Sequence, residues 1–80
     1  MAVDELRLLD CTPGVTYRVT RLEGGGEFRQ RLQNLGLTEG CELVKLHRQP
    51  FRGPVTVRVQ QTKLAVGHGM AARIFVRPAQ

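Results

Sequence analysis

The side chains of this 80-residue chain best suited to chemistry are Cys11, Cys41, His47 and His68. Transition metals such as zinc take thiolates and imidazoles in tetrahedral sets, usually as two close pairs. Here no two of the four lie within five residues of each other. Spacing therefore defines no metal site and requires no cofactor. His68, between Gly67 and Gly69, is the best placed single ligand, with Cys41 and Cys11 as weaker candidates. Nucleophilic catalysis has little to stand on. The chain contains no serine, Cys41 has no basic neighbour in sequence to lower its pKa, and no nucleophile–base pair is apparent. Gly24-Gly25-Gly26 precedes a helical pattern, where a phosphate could be held. Yet Glu27 puts a negative charge at that place, and neither a Lys-Ser/Thr pair nor a Gly-x-Gly-x-x-Gly spacing is present. The triplet reads as a turn, and the chain as a non-enzyme.

Composition narrows the class further. With 41% apolar and 24% charged residues, the chain reads as one small globular domain. No apolar run is long enough to span a bilayer, and no charged segment leads into an apolar one as in an export signal. In a reducing compartment the two cysteines are expected to be free thiols. The net charge of +5 is unevenly spread. Residues 1–40 hold five arginines and six acids, net −1, whereas residues 41–80 hold seven Lys+Arg and one acid, net +6. An acidic partner is implied, whether protein, nucleic acid or lipid head groups. Lys45, Arg58 and Lys63 are expected on the outward face of a sheet, with Arg48 and Arg52 at the adjoining hairpin. Such a face could bind phosphates, making a nucleic-acid-binding barrel the alternative reading. Single-strand binders also need stacking aromatics, and only Tyr17, Phe28, Phe51 and Phe75 are present. A third reading of the cations is protection of an exposed sheet edge.

The elements that must position these residues follow from periodicity. Val15, Tyr17 and Val19 alternate with polar residues and predict a half-buried strand over 15–22. Phe28, Leu32 and Leu35 fall on one helical stripe, predicting a helix over 27–35 that Gly36 ends. A second strand is expected over 41–47, where broken alternation implies a bulge or two-sided burial. Val55, Val57 and Val59 mark a third, Leu64 and Val66 a fourth, and Ile74 and Val76 a fifth. A single 3₁₀ turn is expected over 70–72, with the chain frayed over 1–5 and 78–80. Five short strands and one helix predict an all-β, partly open small barrel.

Three groups of residues, in order, resemble the ferrous iron transport protein A (FeoA) family over about residues 6–77. These are Leu8-Leu9 followed by Pro13-Gly14, then Leu22-Glu23-Gly24-Gly25-Gly26 leading to Leu32, Leu35, Gly36, Leu37 and Gly40. The third is Arg48-x-Pro50-Phe51-x-Gly53-Pro54, closed by Leu64-Ala65-Val66 and Ile74. The resemblance implies an SH3-like barrel with its helix between the first two strands. It also implies a cytoplasmic bacterial accessory protein of ferrous iron transport. The implied partner is FeoB, the membrane transporter with a cytoplasmic G-protein domain, and contact with FeoB would bring the protein to the membrane periphery. Family members are also described as binding transition metals such as iron or zinc. Pro50, Phe51 and Arg52 form an apolar, cationic tip that could dock into a partner groove, with Arg48, Lys45 and Arg58 beside it. Alternatively Phe51 folds back on the sheet.

Overall fold

The computed structural model describes residues 5–47 and 51–79. Its elements run β1 (Leu6–Arg7), a 3₁₀ turn (Leu8–Asp10), β2 (Thr16–Leu22), α1 (Gly26–Asn34), β3 (Glu42–Lys45), β4 (Val55–Val59), β5 (Thr62–Val66), α2 (His68–Ala71) and β6 (Ile74–Pro78). The strands form one antiparallel sheet in the order β1-β6-β2-β3-β4-β5. The sheet wraps one core as an SH3-like barrel. The expected strands are all present. The two-residue β1, which pairs Leu6 with Val76 and Arg7 with Phe75, brings the number to six. It is too short to show a period of two, and so carries no signal in sequence.

The core collects the inward residues of alternating strands: Tyr17, Val19 and Leu22 from β2, Leu43 from β3, all three valines of β4, and Ile74 and Val76 from β6. Val15 stands outside this set. It is exposed, because β2 begins at Thr16 and the inward alternation starts at Tyr17. Leu43 and Lys45 are buried on one face of β3 and Val44 is half-buried on the other, the two-sided burial expected there as the alternative to a bulge; the bulge itself lies in β2. Its pairing with β6 shifts between Val19 and Arg21, leaving Thr20 as the extra residue. The Thr20 hydroxyl donates to the Glu5 carboxylate at 2.6 Å, and the Arg21 guanidinium pairs with the same carboxylate at 3.1 Å. These contacts, the Thr20 hydrogen bond foremost, hold the Glu5 pKa below its ordinary value. Glu5, the last residue of the expected frayed start, is thus tied to the sheet.

Helix α1 closes one end of the barrel through Phe28 and Leu32, but Leu35 does not join them. Leu35 is 39% exposed as the C-cap, and Leu37, fully buried, fills the core instead. The cause is the way the helix ends. Gly36 takes φ +90°, its N–H donates to Gln33 O at 2.9 Å, and the Leu37 N–H reaches Leu32 O at 2.9 Å. This is a complete Schellman motif, with an apolar pair at its two outer positions. At the other end of the helix, Gly24 seats the Phe28 ring. A Cβ there would lie 2.2 Å from a ring carbon. The short turn expected over 70–72 starts two residues earlier, as α2 from His68, with Gly67 as its N-cap.

Candidate functional site

The cations expected on one outward face do not all lie there. Lys45 is only 1% exposed. Leu43 points inward, so a period of two carries Lys45 inward as well, opposite the buried Val57. Its ammonium donates to the carbonyls of Leu9 at 2.9 Å and Cys11 at 3.2 Å. Lys45 therefore fastens the segment before β2 to the barrel and leaves the set of surface contacts. Val44 and Leu46, on the opposite face of this strand, are half-buried.

Arg58 is exposed on β4, as expected. In register it faces Lys63 on β5 and Val44 on β3, and Val44 in turn faces Thr16 on β2. Thr16, Val44, Arg58 and Lys63 thus form a row across the outer surface. Phe51 is 99% exposed at φ 55°, and Arg52 beside it is also exposed. Of the two readings of the tip, a ring folded against the sheet is not what the structure shows. Arg48 and Pro50 lie outside the described residues.

Charge pairing follows the division seen in the sequence. The ion pairs among the described residues all use arginines of the first half: Arg7–Asp10, Arg18–Glu42, Arg21–Glu5, Arg21–Glu23 and Arg29–Glu39. Arg31, Arg52, Arg58, Lys63 and Arg73 form no ion pair among the described residues, while Arg77 adds its charge to those that lower the Glu5 pKa. Arg73 instead covers the Phe28 ring at 5.5 Å, and Arg21 covers Phe75 at 4.0 Å. With Tyr17 buried and its hydroxyl accepting from the Thr12 N–H at 3.0 Å, Phe51 is the one aromatic fully open to a stacking base.

The candidate metal ligands stand on separate elements: Cys11 after the 3₁₀ turn, Cys41 just before β3, and His68 at the start of α2. Among the described residues no three His, Cys, Asp or Glu side chains converge. The His68 Nδ1 is buried without a hydrogen-bond partner among those residues. Both cysteines are free. Burial raises the Cys11 thiol to about 11, with Lys45 opposing the rise and Asp10 adding to it. The consequences are measurable. A disulfide reagent should modify half-buried Cys41 first and reach Cys11 only as the chain opens. Because the folded state holds the Cys11 proton more tightly, this contribution to stability is complete below the thiol's ordinary 9.0 and is lost as pH rises towards about 11. Cys11→Ala should flatten the alkaline limb of a stability–pH profile; an unchanged limb would count against it.

The fold is a six-stranded SH3-like barrel with α1 across one end and open grooves on its outer surface. The chain belongs to the FeoA domain family, whose model matches residues 6–78. It is 31% identical over 62 residues to a putative Fe(2+) transport protein A of Methanocaldococcus jannaschii, covering 78% of this chain and 73% of that one. It is also 30% identical over 71 residues to a protein of Porphyromonas gingivalis described as an Fe(2+) transport protein A/Fe(2+) transporter FeoB fusion. That match covers 89% of this chain but only 8% of the fusion protein. Among solved structures, an iron uptake regulatory protein, FeoA, superposes with a TM-score of 0.84 at 34% identity, covering 91% of this chain and 96% of that one. The family expected from the sequence motifs is the family found. Among the described residues, no helix is long and apolar enough to cross a membrane.

Proposed function

We propose that this chain is a non-catalytic, cytoplasmic accessory protein of ferrous iron transport that binds the cytoplasmic region of an FeoB-type transporter and regulates it. The observation that carries the reading is the relative in which a similar segment and an FeoB transporter form one polypeptide. Fusion places two partners at high effective concentration, as association in trans would do more weakly. The reading needs no metal on this chain.

The contact proposed is the tip at Phe51 and Arg52. A fully exposed aromatic ring beside a cation is the kind of residue that dominates binding energy once buried against a partner. Titration of the transporter's cytoplasmic region should show saturable binding, and deletion of this chain should change iron uptake. No binding together with unchanged uptake would overturn the proposal. Phe51→Ala should weaken that binding about tenfold or more, and Arg52→Glu should weaken it as well. Both side chains are exposed, so thermal unfolding should hardly move. Normal binding by both variants would place the contact elsewhere.

A further inference from the structure

The outer face of the sheet carries a groove of about 430 Å³ that the tip does not use. Val44 and Cys41 supply apolar lining, Arg58 one wall, and Gln60 the rim where β4 turns into β5. Glu42 also borders it, but Arg18 holds that carboxylate at 2.7 Å. The uncompensated charge of the groove is therefore positive. Arg58 is the cation that lines the groove; Lys63, just beyond its lining, stands directly opposite Arg58 in register, and neither has an acidic partner among the described residues. Like charges facing each other across a strand pair, with Cβ atoms about 5 Å apart, repel one another. An anion set between them would remove that repulsion and gain two charge-assisted hydrogen bonds.

The shape limits which anion fits. Neighbouring strands lie about 4.8 Å apart, so the row from Thr16 to Lys63 spans about 14 Å, the length of roughly four extended residues. A ligand along it meets two cations at one end and the half-buried Val44 further in. We infer that this groove binds a short extended peptide segment of a partner protein, with an acidic side chain between Arg58 and Lys63 and an apolar one over Val44. Charge complementarity argues for the acidic end, and the apolar lining for a peptide over a bare anion. A polyphosphate chain such as single-stranded nucleic acid would satisfy the cations but leave Val44 and Cys41 facing a charged backbone. The inference holds whichever protein carries the segment.

The test is a titration of the whole chain at low salt with a labelled peptide alternating glutamate and valine, monitored by anisotropy and by backbone amide NMR. Its glutamine counterpart and an oligothymidylate serve as competing probes. The glutamate peptide should bind, weaken as salt rises, and shift the amides of Val44, Arg58, Gln60 and Lys63. Arg58→Ala and Lys63→Ala should each reduce affinity about fivefold or more. Both positions are exposed, so the variants should melt like the parent, and Phe51→Ala should bind the peptide normally. No binding, equal binding of the glutamine peptide, shifts confined to another face, unaltered affinity in both variants, or tighter binding of the oligothymidylate would each overturn it. Its failure would leave the transporter reading intact, because that reading is tested through the Phe51 tip.

Discussion

Lys45→Ala is expected to lower the unfolding free energy by about 3–5 kcal/mol. A domain of this length has roughly 4–12 kcal/mol in total, so the loss removes about a quarter of its stability or more. Two losses combine. The stem beyond Cβ, buried opposite Val57, is replaced by a void. The carbonyls of Leu9 and Cys11 lose the ammonium that now donates to them, and an unsatisfied buried acceptor costs about 1–3 kcal/mol. Lys45→Met separates the two, since it keeps most of the stem and removes the donor. Its cost should be about 1–3 kcal/mol, because removing a buried charge also removes the penalty of holding that charge away from water. Urea unfolding of both variants measures the difference. A second readout isolates the fastening role. In Lys45→Met, Cys11 should react with a disulfide reagent faster than in the parent under native conditions, although the lost positive charge favoured thiolate formation. Equal costs below about 1 kcal/mol in both variants, with Cys11 still protected, would show that the ammonium holds nothing.

Lys45 also shows where sequence reading met its limit. The clean alternation of Val55, Val57 and Val59 fixed β4, and all three valines are buried. Gly36 marked the end of α1, and it does take positive φ there. In β3 the apolar residues Leu43, Val44 and Leu46 gave no single period, and a lysine is ordinarily assigned to water. Counting by two from Leu43 would have turned Lys45 inward, but nothing local announces the two carbonyls from a distant turn that make this tolerable. The same holds for β1 and for Glu5, whose partners lie on β2 and β6 and are defined only by long-range pairing. The surface site was more legible. Arg58 and Lys63 lie where alternation puts them, because an exposed position depends only on its own strand. Their facing register was not legible, since it depends on the length of the Gln60-Gln61 turn. That Phe51 extends away from the sheet was likewise one of two open readings in sequence.

Leu37→Ala, set against Leu35→Ala, tests the largest departure from the helical stripe. The two leucines flank Gly36, and periodicity gives the core to Leu35. In the structure Leu37 is fully buried and Leu35 is 39% exposed. Truncating Leu37 should cost about 2–5 kcal/mol, because it leaves a cavity under the end of α1. It also removes one half of the apolar pair with Leu32 that accompanies the Schellman hydrogen bonds. Truncating Leu35 should cost about 0.5 kcal/mol or less, since alanine favours the helix slightly more and little area returns to water. Urea midpoints at equal slope would give the ratio directly. Equal costs would mean that both leucines pack, and a reversed order would restore the stripe read from sequence. The order expected here follows from Gly36 alone. A residue at φ +90° turns the chain back across the helix end, so the second residue after the cap, not the cap itself, reaches the core.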